Sequence, residues 1–540
     1  MVDTHVSPTL PGSSVDREGQ ATRPAEQRWL AVAAWVGFSL VLGALYLRIS
    51  RSSSVDSDGA NTSLQAWDLL HGHLLLHGWD IGDANFYFLE QPVNALTEAI
   101  FGLGNFAAHA GSALTYLIVT VLAAAVAVTG SRGSARAVRC GVVVVVLAAP
   151  VLTLASMRVG LEEPDHMGTS AFILGSFLLI DRVPERRFTA PLLCVLLCAG
   201  EFSDLTVAYV AAPAVVLVCG ARALAAHRLR SPDTALVTAA VASVPLEVLV
   251  RTVITHLGGF WVVAPRAHIA SPRLWPHHAM ITWHNLRLLF GAIDSQYAMH
   301  ARLDTMHGRL GEALGIACLL AALFGLARVV WTWRRASRAE QLVSVAIVCN
   351  VGIFAVSVLA ILNNDHELAL VLPCGAVLAA RALVPARITR EPVALAAVAV
   401  TTLVAALPLA SAAAQPLDVP ATTQLTAWLE AHHLQYGLAG YWDASAATVQ
   451  SGDKVMLHSI NIRKGGLTVP DYEVSTLWYD PARHDARFVV ARAHGRTRSP
   501  GTSDSSASRP LLPGGRLRRP CLQGKPAPKA QAQHLASIHR

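Results

Sequence analysis

Long apolar runs, each close to the length of a bilayer-crossing helix and each closed by a short polar knot, recur along most of this chain. A helix needs about 20 mainly apolar residues to cross the hydrocarbon core. On that measure the pattern predicts about eleven spans, at roughly 29–48, 111–129, 138–156, 167–180, 189–200, 205–221, 234–257, 311–332, 341–362, 368–385 and 392–413. The fourth to sixth are short enough to be half-buried or re-entrant. Between the first two spans Leu64, Trp67, Leu70 and Leu74 recur at helical spacing, as do Val93, Leu96, Ile100 and Leu103 beyond Pro92. Both sets predict amphipathic helices lying along the interface, with Trp67, Trp79, Phe86 and Tyr87 as aromatic anchors. After the last span the texture changes. Residues 422–434 place Leu425, Trp428, Leu429 and His432 on one helical face, and alternating stretches at Lys454–His458 and Arg487–Ala491 predict strands.

Composition fixes the class. With 540 residues, 53% hydrophobic and 15% charged, and a mean hydropathy of +0.43, the chain is too apolar for a soluble protein of its size and reads as a polytopic membrane protein. Arg132, Arg136 and Arg139; Arg182, Arg186 and Arg187; Arg222, Arg228 and Arg230; Arg334, Arg335 and Arg338; and Arg387 and Arg390 fall in alternate connections. The positive-inside rule therefore puts the amino terminus in the cytoplasm and the carboxyl segment outside. The expected organisation is a polar, disordered cytoplasmic segment 1–28, a transmembrane domain 29–413 with outer loops 50–110 and 258–310, an outer domain 414–493 and a disordered basic tail 494–540. That tail carries nine Lys or Arg against Asp504, so the formal charge of +7 leaves about −1 for everything before it. Such a surplus in a Ser/Pro/Gly-rich segment is no sign of nucleic-acid binding. Seven of the eight cysteines lie in apolar spans, Cys194 and Cys198 on one helix face, and none implies a disulfide framework.

The candidate chemistry gathers on the predicted outer face, where long loops in a compact protein are usually functional. Asp56 and Asp58 follow the first span, and Glu162, Glu163, Asp165 and His166 close the third. Carboxylates are expensive to hold beside lipid, so the two clusters suggest an active site at one membrane surface. Either Asp56 or Asp58 also suits the cap of a helix starting near Ala60, and Asp165 the cap of the fourth span. A further turn, Asn363-Asn364-Asp365-His366-Glu367, is either turn and cap chemistry or the far wall of the same chamber. Thirteen of the 22 histidines lie between His71 and His366 on this face. His71-x-His73 and His277-His278 with His284 are weak zinc patterns better read as interfacial polar groups, whereas His166 and His366 each abut an acid.

The first span followed by Val55-Asp56-Ser57-Asp58-Gly59, the long outer loop with two interfacial helices, the Glu162–His166 knot and the soluble domain after the last span resemble the polytopic glycosyltransferases of the GT-C fold, over most of residues 29–490. These enzymes use polyprenyl-phosphate-linked sugars and include actinobacterial members. The resemblance implies an α-helical polytopic fold of about eleven transmembrane helices with a small extracytoplasmic α/β carboxyl-terminal domain. In that domain Tyr441 and Trp442 suit either a sugar-stacking or a core role. The implied activity is that of a hexosyl- or pentosyltransferase of the cell envelope. The donor would be a polyprenyl-phosphate sugar, and the acceptor a glycan, lipid or protein, at the outer face of the cytoplasmic membrane.

An acceptor hydroxyl must lose its proton as the phosphate leaves, which asks for a carboxylate base. By resemblance to the acidic residue just after the first span, Asp58 is the first choice and Asp56 the second. Glu162, Glu163, Asp165 and His166, with Asp365 and His366, are expected substrate contacts. The favoured expectation for them is a metal-free site, with divalent Mg or Mn as the alternative. Arg158 and Arg266 are the expected phosphate partners, against a plain snorkelling role. No glycine-rich nucleotide loop is present. The competing class is a transporter or flippase for a lipid-linked or polar solute, which would place polar groups near the midplane and show repeated halves.

Overall fold

The computed structural model describes residues 25–82, 84–152, 158–162, 166–227, 230–263, 267–292, 306–463, 466–491 and 509–510. Two compact units divide at Leu42, Met1–Leu42 and Gly43–Arg540. The expected segment 1–28, up to residue 24, lies outside the described residues, as do Glu163, Asp165 and Arg266 and all of the tail but residues 509–510.

Helix α1 (Ala25–Ser50) runs across the division between the units. There follow α2 (Ser57–Leu70), strand β1 (Trp79–Ile81), α3 (Glu90–Phe101), α4 (Asn105–Ala127), α5 (Ala135–Ala148), α6 (Met167–Arg182), α7 (Thr189–Ser203), α8 (Thr206–Ala225) and α9 (Pro232–His256). Strand β2 (Trp261–Val262) then precedes α10 (Trp275–Leu289), α11 (Met306–Trp331), α12 (Arg338–Val356), α13 (Val371–Leu383) and α14 (Glu391–Ala413). Among the described residues, eight helical stretches are long and apolar enough to cross a membrane. The protein is thus a multi-pass, mainly helical membrane protein. The fourth and fifth runs, read as short, fold as the shorter α6 and α7, whereas the sixth, also read as short, extends into the 20-residue α8, long enough to cross.

The two amphipathic runs of the first loop fold as α2 and α3, with Trp67 on α2 and Trp79 on β1. Trp79 is 1% exposed in a core that joins Val55, Ala60 and Leu64 of the first loop to Ala108 of α4, Phe202 of α7, Phe260 before β2, and Ala446 and Val449 of the carboxyl-terminal domain. Burial of such side chains is worth about 1.5–3 kcal/mol each. It binds loops and domain into one body.

The carboxyl-terminal domain is α/β: α15 (Thr422–Ala431), β3 (Tyr436–Gly440), α16 (Tyr441–Ser451), β4 (Met456–Arg463), β5 (Gly466–Thr468), β6 (Val474–Ser475), β7 (Phe488–Ala491) and β8 (Arg509–Pro510). β3 is central and pairs in parallel with β4 and β7, while β5 and β8 add antiparallel edges. The sixth strand leaves this sheet. β6 pairs antiparallel with β1, which pairs in parallel with β2, so one small sheet stitches the first loop, the 258–310 loop and the domain together.

Candidate active site

The connection after α1 sets the site. Asp56 takes an extended conformation (φ −86°, ψ −173°), and its Oδ1 accepts from the N–H groups of Asp58 and Gly59 at 3.0 and 3.1 Å. This is N-cap geometry, satisfying two of the helix's orphan donors. Asp58 stands one turn-step further in, where the helix dipole favours an anion, and its side chain lines a cavity of about 760 Å³.

Residues far apart in sequence build that cavity: Asp58, Thr62 and Gln65 of α2, Asn85 and Phe86, His166, Asp204, His268, Asn350 of α12, His366 and Glu367, and Tyr472 and Glu473 of the terminal domain. Residues of the first loop, of the turns at His166, Asp204 and His366 and of the 258–310 loop all contribute to it, with the domain closing the side. They therefore meet at one end of the helices.

The domain reaches Asp58 directly. Tyr441, the first residue of α16, donates its hydroxyl to Asp58 Oδ1. Asn61 Nδ2 donates to the Tyr441 oxygen at 3.3 Å, Ser445 donates to Asn61 Oδ1 at 2.6 Å, and Ser57 donates to the Tyr441 carbonyl at 2.5 Å. Burial, then the charges of Asp58 and Glu473, push the Tyr441 phenol far above its ordinary range, so it stays a proton donor. Of the two aromatics singled out in the sequence, Tyr441 holds the carboxylate while Trp442 is 57% exposed. Glu473 enters the same wall: its carboxylate accepts from Gln65 Nε2 at 2.6 Å and from the Gly82 N–H at 3.0 Å.

A second group centres on His166, which holds a left-handed backbone (φ 55°) just before α6. Its Nδ1 lies 2.7 Å from Asp204 Oδ2. Asp204 also accepts from the Thr169 hydroxyl and, at 2.8 Å, from the Thr206 N–H. Burial by itself raises Asp204, but His166, Thr169 and Thr206 together outweigh it and hold the carboxyl below its ordinary value. Glu90, buried behind this group, accepts from the Gly168 N–H at 2.8 Å. Burial chiefly, with Asp204 adding, pushes it up to about 8 against the donors and His166. A Cβ at position 168 would collide with the Glu90 carboxyl, so the close approach requires glycine.

The expected site residues separate. Asp58, His166 and His366 share the cavity wall. Asp56 caps α2, half-buried Glu162 lies in the π-helical turn Arg158–Glu162 away from the wall, and Asp365 is buried in the turn Asp365–Leu368. Arg158 is placed only by its backbone in that π-helical turn. Asp204, Glu90, Glu473 and Gln65 were missed. Asp204 was legible: Glu201-Phe-Ser-Asp204 is an acidic knot ending an apolar run, the same signal as Glu162–His166. Of the weak zinc patterns, His73 pairs with Asp68 at 3.5 Å and His71 bonds to the Trp67 carbonyl.

Fold and site together define a polytopic membrane protein with a largely apolar, carboxylate-bearing cavity at one end of its helices, walled on one side by a small α/β domain. No protein-family model matches the chain, and no curated protein does. Among solved structures it is similar to ArnT from Cupriavidus metallidurans bound to undecaprenyl phosphate, at 14% identity and TM-score 0.48 over 80% of this chain and 86% of that one. It is also similar to the arabinofuranosyltransferase AftD from Mycobacteria, at 15% identity and TM-score 0.37 over 82% of this chain and 33% of that one.

Proposed function

We propose that this protein is a membrane glycosyltransferase that moves a sugar from a polyprenyl-phosphate donor to an acceptor hydroxyl, in a cavity at the outer face of the cytoplasmic membrane. The observation that carries the reading is Asp58: a carboxylate at a helix N-terminus, lining a cavity of about 760 Å³ and accepting a hydrogen bond from the Tyr441 phenol of another domain. Asp58 takes the acceptor proton as the C1–O bond to phosphate breaks, and Tyr441 fixes the carboxylate's rotamer, so the base is pre-oriented. Glu90, bonded to the Gly168 N–H behind His166, and the Gln65–Glu473 network keep the surrounding wall fixed. The GT-C resemblance supplies the donor class. The arginine-rich opposite end supplies the sidedness.

Purified protein in detergent should transfer sugar from a lipid-linked donor, and Asp58→Asn should abolish that transfer while leaving donor binding intact. Transfer from a soluble nucleotide sugar alone would refute the assignment. Reporter fusions after Arg230 and after Gln435 should report inside and outside; identical readings would remove the outer-face site.

One observation favours the transporter alternative. Glu247 and Arg251 pair at 2.6 Å within α9, and Glu201 accepts from Ser243 at 2.8 Å, which places buried charge along membrane helices. Solute uptake into liposomes that survives Asp58→Asn and is lost in Glu247→Gln would replace the enzyme reading.

A further inference from the structure

A second cavity, of about 470 Å³, lies at the arginine-rich end of the helices, enclosed by the turn that joins α6 to α7 and by the first turns of α9. Its polar lining is Glu185, Arg186 and Arg187 from the turn, with Arg230, Ser231 and Thr234 from the start of α9. Three arginines thus share the wall with one glutamate. Asp233, which stands between lining residues in the sequence, is engaged outside the cavity by Arg338 at 2.8 Å and Arg222 at 3.9 Å, so it leaves the cavity's positive charge standing.

Elsewhere at this end arginines serve the fold. Arg139 and Arg381 are buried and donate to backbone carbonyls. Arg186, Arg187 and Arg230 are exposed, and among the described residues none of them pairs with an acid or a carbonyl. Guanidinium groups converging on one concavity suit an anion with several oxygens, since each can grip a phosphate bidentately.

The surface beyond the cavity says what carries that anion. α7 and α9 both begin here and lie side by side, joined where the Ser243 hydroxyl donates to Glu201 at 2.8 Å. On α9 the lining residues Thr234 and Thr238 continue at helical spacing into Val241, Val244 and Val248. These valines are exposed, as are Leu192 and Val195 of α7. In a bilayer such a face meets acyl chains. A phosphate head joined to an apolar tail matches both parts of the surface, whereas a free phosphate uses only the arginines.

We propose that this cavity binds the phosphate head of an anionic phospholipid, with Arg186, Arg187 and Arg230 as the partners of its oxygens and its acyl chains along the exposed face of α9. Basic pockets between membrane helices hold anionic lipid heads in this way. The lipid ties the α6–α7 turn to α9. The site is independent of sugar transfer: it holds lipid whether or not Asp58 acts as a base.

The test is lipid binding by full-length protein, delipidated in detergent and titrated with phosphatidylglycerol under native mass spectrometry, with phosphatidylcholine as the zwitterionic comparison. One phosphatidylglycerol per chain should bind saturably and in preference to phosphatidylcholine. Arg186→Gln, Arg187→Gln and Arg230→Gln should each weaken it about fivefold, and the triple variant about 100-fold. Ala235→Trp, which fills the cavity and keeps every charge, should remove the saturable binding. The charge-matched control Arg132→Gln/Arg334→Gln/Arg335→Gln, three exposed arginines of the same end outside the cavity, should bind as wild type does. Phosphatidylglycerol should raise the melting temperature of wild type and control but not of the cavity triple variant, with all three equal when lipid-free. Wild-type affinity in the cavity triple variant would overturn the site. So would an equal loss in the control, which would reduce the effect to diffuse surface charge. Glycerol phosphate binding as tightly as phosphatidylglycerol would overturn the lipid in favour of a soluble anion.

Discussion

The two ends of the helical bundle hold ionisable groups in opposite ways. At the arginine-rich end the charges are spent on the fold. Arg381 donates through Nη1 to the Val126 and Thr129 carbonyls and the Thr129 hydroxyl at 3.1, 3.0 and 2.8 Å, through Nη2 to Ser337 at 2.8 Å, and its Nε lies 3.5 Å from Glu340. Arg139 reaches the Val384 and Ala127 carbonyls, and Arg338 pairs with Asp233 at 2.8 Å. Arg381 and Arg139 close the carboxyl ends of α4 and α13, where orphan carbonyls carry the negative end of the dipole. At the cavity end Asp58 accepts from Tyr441 and His166 meets Asp204, and both line an open volume. The same cost of burying charge yields a clamp against backbone carbonyls at one end and, at the other, the cavity proposed as the reaction site.

That contrast breaks first at Arg381. Arg381→Met should lower stability by about 3–5 kcal/mol, since it strands Glu340 and several carbonyls, while turnover per folded molecule stays near wild type. Thermal unfolding in detergent alongside single-turnover rates checks both halves, and a loss of turnover without a loss of stability would erase the division of labour. Asp58→Asn should do the reverse, cutting turnover by about 100-fold or more, equivalent to ~2.7 kcal/mol, with an unchanged melting temperature. If neither rate nor binding changes, the base lies elsewhere.

Tyr441→Phe sharpens the comparison at the domain contact. It should cost about tenfold in turnover, ~1.4 kcal/mol, with little effect on KM. Because a donated hydrogen bond favours the charged carboxylate, its loss should also move the acidic limb of the pH–rate profile upward. A purely structural tyrosine would move stability and leave that limb where it was. Smallest is Asp56→Ala, a lost cap worth about 1 kcal/mol of stability with rates retained. Dead enzyme in this variant, with active Asp58→Asn, would exchange the two aspartates' roles.

Much of this was present in the order of residues. Apolar runs of bilayer length determine a multi-pass helical protein, because the hydrocarbon core requires every backbone group of a crossing segment to be satisfied within the segment. Alternation of arginine between connections determines which loops belong to one end. Local period gave α2 and α3, and the Asp-x-Asp before α2 gave one cap and one candidate base. Tertiary structure decided which aspartate is which, because capping depends on backbone angles at Asp56, and it decided that Tyr441, 383 positions away, holds the other. It also brought His166 to Asp204 and to His366, contacts set by how α6, α7 and the turn before α13 pack. Hydrophobic periodicity records the lipid or core that a residue faces. It carries no term for the partner a polar side chain meets across a cavity, so the site emerges only when the helices are assembled.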